Sequence, residues 1–167
     1  MTKSKRVGFA ATVLVLAVAL AGLRQLEAPL ILYPASASLP KGLYFQTFGS
    51  VEIGKIAAFP IPTAARNYQA RHGNLAPEGF LFMKPIAAGP GDEICNGPAG
   101  LFLNGRHLAA TASHDARGNP LPIWNDCRPL RDDEFFMLSD YASNSFDSRY
   151  FGPIRADEII SVYSTAF

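Results

Sequence analysis

The sequence predicts a mainly β fold built from short, mostly antiparallel strands. Of its 167 residues, fourteen are Gly and thirteen are Pro, a composition that favours many turns over a helical bundle. After residue 30, no long stretch repeats apolar residues at the helical period of 3.6. The predicted strands follow one another closely, and strands joined by short connections are usually antiparallel. With 49% hydrophobic and 17% charged residues, the chain is not expected to be disordered.

The first 23 residues are predicted to be an export signal or a membrane anchor. A cluster of basic residues precedes a mostly apolar run at 7–23, which has the minimum length for a membrane-spanning helix. The basic cluster favours a cytoplasmic N-terminus, so we expect the rest of the chain in the periplasm, anchored to the inner membrane. In the alternative interpretation, cleavage after Ala21 in Ala19-Leu20-Ala21 releases a free periplasmic domain. The basic residues are Lys3, Lys5 and Arg6.

Residues 24–34 are predicted to form a connector, and residues 35–167 a single β-rich domain. Runs of apolar and β-branched residues predict its strands, while two polar, Pro-containing segments at 60–77 and 110–122 predict long loops. The strands are expected at residues 43–48, 55–59, 80–86, 134–138 and 159–163.

A β-hairpin is the best-defined local prediction. Residues 101–103 and 106–108 flank Asn104-Gly105, and a two-residue hairpin turn favours this pair because both positions need a positive φ.

Charge and cysteine content restrict the possible ligands. The net charge is +1 and no basic stripe follows the N-terminus, so nucleic acid is not an expected partner. Cys95 and Cys127 fit a disulfide in an oxidising compartment. A zinc site formed with His107 and His114 is the alternative, but the spacings are long and no Cys-x-x-Cys motif is present. We therefore expect no metal and no cofactor.

Ser38 lies fifteen residues after the apolar run, close to a predicted membrane exit. Pro40 fixes its own φ and biases Leu39 toward extended geometry, so the segment is stiff enough to present a nucleophile. A serine before X-Pro is also common in ordinary turns, and Ser36 is a second candidate nucleophile.

Lys84 is embedded among apolar residues in the predicted strand 80–86. Burial disfavours the ammonium form and lowers the pKa of a lysine, and a neutral amine is a general base for a serine hydroxyl. A lysine whose amine reaches solvent at a strand edge is the alternative.

The segment 145–153, Ser-Phe-Asp-Ser-Arg-Tyr-Phe-Gly-Pro, combines hydroxyls, charges and aromatic residues. Asp147 and Arg149 form either a surface ion pair of little energetic value or a pair that fixes a functional loop. In the second case the Ser145 hydroxyl is available to hydrogen-bond the lysine amine.

Together these segments resemble the signal peptidase I superfamily of Ser/Lys serine proteases, and within it the conjugal-transfer peptidase (TraF) branch. The matches are Ser-Leu-Pro-Lys-Gly-Leu-Tyr at 38–44, a lysine strand leading from Lys84 to Pro90-Gly91-Asp92, and the whole of 145–153. They occur in the family's order behind one apolar segment. The resemblance implies a signal-peptidase-like antiparallel β domain.

The resemblance also implies a role for each matching residue. The catalytic residues would be the nucleophile Ser38 and the general base Lys84, with the Ser36 hydroxyl and the Ser38 N–H forming an oxyanion hole. The supporting residues would be Ser145, which orients the lysine, and the pair Asp147 and Arg149.

The chain departs from the general signal peptidases at three places. They carry Gly-Asp where this chain has Ser139-Asp140, and Thr-Leu where it has Lys41-Gly42. Pro85 follows the lysine where a basic residue is usual, and it removes a backbone donor. The first two departures favour the conjugal branch.

The implied function is an exported serine endopeptidase that processes a small secreted precursor, a TrbC-like pilin subunit of a conjugative system. Its partners would be this precursor, the inner membrane and other components of the secretion system. Hydrolysis and cyclisation of the product both remain open.

Other functions stay open at this point. They are a general signal peptidase, a catalytically silent scaffold of a pilus assembly, a self-cleaving repressor domain, and a Ser-His-Asp protease using Asp115 with one of the histidines. The histidines are His72, His107 and His114.

Overall fold

The computed structural model describes residue 13 and residues 28–34, 36–73 and 75–165. Apart from residue 13, the predicted export segment 7–23 lies outside the described residues, as do its alternative cleavage site after Ala21 and residues 24–27 of the connector. In the part of the chain that is described, no helix has the length and apolar character needed to cross a membrane.

The described residues contain eleven strands, two α-helices and one turn of 3-10 helix. The strands are β1 (Ile31–Leu32), β2 (Tyr44–Thr47), β3 (Ile56–Pro60), β4 (Leu81–Ala88), β5 (Glu93–Gly97), β6 (Gly100–Leu103), β7 (Arg106–Ala109), β8 (Asp126–Pro129), β9 (Glu134–Met137), β10 (Ile154–Arg155) and β11 (Ser161–Thr165). The helices are α1 (Thr63–Arg71), α2 (Ser148–Phe151) and the 3-10 turn Ala156–Glu158.

Two antiparallel sheets make up the fold. The larger has seven strands in the order β1-β2-β11-β3-β4-β9-β10, and the smaller has four in the order β7-β6-β5-β8. Every strand pair is antiparallel. The predicted mainly β, antiparallel fold class is therefore confirmed.

The core consists of three clusters of buried side chains, and β4 contributes to more than one of them. Ile86 packs in the first cluster with Phe59 and Met137, while Ala88 packs in the second with Ile94. Because side chains alternate along a strand, Lys84 lies on the same face as Ile86, two residues closer to the start of β4. The lysine is thus placed at the end of a buried row.

The predicted strands are present with shifted ends, and the predicted hairpin joins β6 to β7. Its turn residues Asn104 and Gly105 have φ values of 50° and 76°, as a type I′ turn requires. The described part of the connector, residues 28–34, contains β1, which pairs with β2.

The elements missing from the prediction include α1, β5 and β8, and each of these three lacks a strong sequence pattern. The segment 60–77 contains α1, in which Ala65 is the buried residue, so this helix shows almost no apolar periodicity. Strands β5 and β8 are short and partly exposed, and they alternate weakly between apolar and polar residues.

Pro85 is tolerated in β4 because of where its backbone points. The Ile86 N–H donates to the carbonyl of Lys55, the residue just before β3. Because backbone groups alternate in direction along a strand, the Pro85 backbone faces away from β3. On that side the Pro85 carbonyl accepts from Leu138 N–H at 3.0 Å, and the register with β9 begins only at Ile86. No ladder bond in that register needs a donor at Pro85.

Cys95 and Cys127 occupy directly opposed positions of β5 and β8 and are joined by a disulfide. Their sulfurs are bonded to each other, so they do not serve as zinc ligands in this structure. Within the described residues there is also no cluster of three or more side chains suited to a metal ion.

Removing this disulfide should destabilise the fold without affecting the site described below. The Cys95→Ala/Cys127→Ala variant is expected to lose about 3–4 kcal/mol of unfolding free energy, because the bond closes a long loop in the unfolded chain. Urea titration of wild type, oxidised and reduced, and of the variant measures the loss. Equal midpoints for all three samples would contradict the expectation.

Candidate active site

A cleft of about 650 Å³ brings together segments far apart in the sequence. Its walls come from residues 29, 32–34 and 36–39, from residues 79–84 at the start of β4, and from residues 142 and 144–146 before α2. Four of the predicted site residues line it: Ser36, Ser38, Lys84 and Ser145.

Ser38 lies in the loop between β1 and β2, with only 8% of its surface exposed. Its Oγ lies 2.8 Å from Ser36 Oγ, within hydrogen-bond distance. The following residue, Leu39, is buried in the third core cluster, and the Tyr44 hydroxyl donates to the Pro40 carbonyl at 2.9 Å. These contacts hold the serine loop against the sheet.

Lys84 is buried at the cleft end of β4, with 6% of its surface exposed. Its Nζ donates to Ser145 Oγ at 2.9 Å. Burial lowers the pKa of Lys84 from 10.5 to about 8, and this outweighs the opposing effect of the Asp147 charge; the Arg149 charge lowers it further. A substantial fraction of this amine is therefore neutral at mildly alkaline pH.

The pair Asp147–Arg149 is deeply buried and fixes the position of Ser145. Asp147 is fully buried, caps the N-terminus of α2, and accepts from Arg149 Nε at 2.8 Å and from Nη2 at 2.9 Å. Arg149 Nη2 also donates to the Ser145 carbonyl at 3.2 Å. This buried ion pair, the Asp147–Arg149 brace, therefore holds Ser145 in place, and Ser145 is the residue that hydrogen-bonds the lysine.

Helix α1 and the 110–122 loop both contact the segment 145–153. Arg149 Nη1 donates to the Ala110 carbonyl at 2.7 Å, which attaches the 110–122 loop. In α1, Tyr68 stacks on Phe146 with ring centroids 5.4 Å apart and donates to Asp115 at 2.6 Å. Phe146 also lines the cleft, so both elements support a cleft wall.

Ser38 and Lys84 share the cleft but are bonded to different partners. Among the described residues, no hydrogen bond joins Ser38 directly to Lys84; the serine contacts Ser36 and the lysine contacts Ser145.

The histidines lie elsewhere, and no histidine is among the cleft-lining residues in the described ranges. The His72 ring packs at a tilt against Tyr68, the His107 ring packs edge-on against Phe102, and His114 hydrogen-bonds Ser113. A Ser-His-Asp arrangement at Ser38 has no support in this geometry.

Ser139 is a site contact that the sequence did not predict. Its hydroxyl donates to the Ser38 carbonyl and its N–H to Asp147 Oδ2 at 3.3 Å. The only signal in the sequence was that serine replaces the glycine of general signal peptidases.

Comparison with known proteins agrees with this architecture. The family profile described as "Signal peptidase, peptidase S26" matches residues 6–167. Two plasmid transfer proteins TraF from Escherichia coli are 34% and 31% identical over 134 residues, covering 75% of this chain and 76% and 75% of the relatives. Signal peptidase I V of Bacillus subtilis (strain 168) is 28% identical over 100 residues, 54% of this chain and 60% of that protein. The chain therefore belongs to the signal peptidase family, peptidase S26, with TraF proteins among its relatives.

Proposed function

We propose that this protein is a serine endopeptidase in which Ser38 is the nucleophile and Lys84 the general base. The observation that carries the proposal is Lys84, a buried amine with a pKa lowered to about 8 in the same cleft as a buried serine hydroxyl. Membership of a peptidase family supports the same conclusion. A silent scaffold has no use for a lysine in such an unfavourable position.

The proposed reaction begins when Ser38 Oγ exchanges its hydrogen bond with Ser36 for one with the neutral Lys84 amine. Ser38 Oγ then attacks the scissile carbonyl carbon and its proton moves to Lys84 Nζ. The Ser36 hydroxyl, released from Ser38, and the Ser38 N–H donate to the oxyanion. Collapse breaks the C–N bond, Lys84 returns the proton to the leaving amine, and an acyl-enzyme remains.

Asp147 and Arg149 take no part in this proton transfer. They brace Ser145, and Ser145 Oγ accepts one hydrogen of the lysine amine and thereby aims the nitrogen lone pair. In this scheme the supporting residues raise the rate by fixing geometry before the substrate arrives.

The substrate we propose is the precursor of a small secreted protein, a TrbC-like pilin subunit of a conjugative transfer system. The TraF relatives, described as plasmid transfer proteins, support this choice. An amine of the substrate, held closer than water, would resolve the acyl-enzyme and give a cyclic product; water would give a linear one. Partners would include other components of the same system.

We also propose that the catalytic domain, residues 35–167, acts on the periplasmic side of the inner membrane, anchored by residues 7–23. The basic and apolar pattern of the N-terminus supports this. The mass of the mature protein tests this, because it identifies the first residue. A protein that begins at Gly22 would have lost its anchor.

Co-expression with a candidate pilin precursor, followed by mass spectrometry of the product, tests the activity. Wild type should trim the precursor and Ser38→Ala should leave it intact, while Ser113→Ala, a loop serine outside the cleft, should process normally. A product one water lighter than the trimmed linear peptide identifies cyclisation. Normal processing by Ser38→Ala would overturn the assignment of the nucleophile.

The pH dependence follows from the lysine. Only the neutral amine accepts a proton. Therefore kcat/KM should increase about tenfold for each pH unit up to pH 8 and should be constant at higher pH. Peptide cleavage measured from pH 6 to pH 10 gives the profile. A flat profile between pH 6 and pH 8 would contradict the role of Lys84.

A further inference from the structure

The two-residue segment Leu138–Ser139, which directly follows β9, hydrogen-bonds three separate segments of the site. Leu138 N–H donates to the carbonyl of Pro85, next to the lysine, at 3.0 Å. The Ser139 hydroxyl donates to the Ser38 carbonyl, and the Ser139 N–H donates to Asp147. One short segment therefore joins the lysine strand, the serine loop and the Asp147–Arg149 brace.

The hydrogen bond from Ser139 to the Ser38 carbonyl is important for positioning because Ser38 lies in a loop. No strand pairing holds its peptide group, since β1 ends at Leu32 and β2 begins at Tyr44. The Tyr44 hydroxyl anchors the Pro40 carbonyl, two residues further along the chain. The Ser139 hydroxyl is attached to the carbonyl of the nucleophile itself, and Ser139 is only 2% exposed, so water does not readily replace it.

We propose that Ser139 is a positioning residue, whose hydroxyl fixes the peptide group of Ser38 so that Ser38 Oγ is presented to the Lys84 amine. This inference rests on the proposed Ser38/Lys84 dyad. Ser139 touches neither the substrate nor the transferred proton; it acts through the serine backbone. Because its N–H is bonded to Asp147, the serine and the lysine are held by one connected set of hydrogen bonds.

Three variants of Ser139 separate the hydroxyl from the volume of the side chain. Ser139→Ala should lower kcat about 30- to 100-fold with KM within about threefold, because small displacements of a nucleophile cost rate rather than binding. Ser139→Thr keeps the hydroxyl and Ser139→Val replaces it with a methyl of similar shape, so Thr should recover much of the rate and Val should not. Peptide-cleavage kinetics on folded samples give these values.

Thr47→Val is the matched control. It removes a hydroxyl that donates to the backbone carbonyl of Val162 at 3.2 Å, outside the cleft, and its kcat should equal that of wild type. Wild-type kcat in Ser139→Ala, or equal losses in Thr and Val variants, would overturn the proposal.

Amide hydrogen exchange tests the anchoring without any activity. Ser139→Ala should accelerate exchange in residues 36–39, while Thr47→Val should leave it unchanged. If Ser38→Ala were to process substrate normally, the proposed function would fail, and exchange would still decide whether Ser139 holds the serine loop. Unchanged exchange in Ser139→Ala would overturn the anchoring in either case.

Discussion

Replacing Lys84 with Met should abolish processing and at the same time stabilise the folded protein. The amine is buried and its pKa is lowered to about 8, so below that pH the fold holds a charged group that would be more stable in water. This cost is about 3 kcal/mol, from a pKa depression of two to three units. Met has a similar length and no charge, so allowing for the lost bond to Ser145, Lys84→Met should gain about 2 kcal/mol.

The gain should depend on pH in a defined direction. Between about pH 8 and 10.5 the unfolded chain binds the lysine proton and the native protein does not, so wild-type stability rises with pH through this window. The advantage of Lys84→Met is therefore full below pH 8 and fades toward pH 10.5. Urea titrations at pH 6.5 and pH 10 measure it, with the exposed Lys41→Met as control. A variant less stable than wild type at pH 6.5 would contradict the burial argument.

Asp147→Ala should destabilise the folded protein and, like Lys84→Met, should abolish processing. It leaves the Arg149 guanidinium, 4% exposed, without its carboxylate, and a buried charge stripped of its partner costs about 3–5 kcal/mol. Ser145 would lose its brace and the lysine its orientation, so processing should fall below detection. Denaturant unfolding and the pilin-processing assay measure the two effects.

The exposed pair Arg155–Asp157 has the same two-residue spacing and supplies the control. Asp157→Ala should change stability by less than about 1 kcal/mol, because solvent screens both charges. A second comparison separates charge from packing: Asp147→Leu/Arg149→Met should recover stability relative to Asp147→Ala without recovering activity. Equal losses in Asp147→Ala and Asp157→Ala would show that burial of the first pair is energetically unimportant.

Local patterns in the sequence predicted what is locally determined. The Asn104-Gly105 hairpin depends on two adjacent residues, and the segment 145–153 carries its own ion pair and helix cap. Helix α1 was not predicted because its sequence, Thr-Ala-Ala-Arg-Asn-Tyr-Gln-Ala-Arg, buries little and shows no apolar stripe. Its position depends instead on the contacts of Tyr68 with Phe146 and Asp115.

The contacts that complete the site are long-range, which is why sequence patterns alone did not reveal them. The burial of Lys84 depends on the segment 145–153, which begins 61 residues later in the chain. The hydroxyl that donates to the Ser38 carbonyl belongs to Ser139, 101 residues away. The resemblance to a family identified the residues with matching motifs. It did not identify Ser139, whose side chain departs from the general pattern.

These same long separations bear on the order in which the molecule matures during synthesis. During synthesis Ser38 and Lys84 are added well before Ser139, Ser145, Asp147 and Arg149, which follow the lysine by 55 to 65 residues. Contacts across such distances form late in folding, since the intervening chain must close first. A chain that stops before residue 139 has Ser38 and Lys84 without the groups proposed to orient them. Under the proposed mechanism, such a nascent or truncated chain would be inert until residues 139–149 have been made and packed against the segments of Ser38 and Lys84.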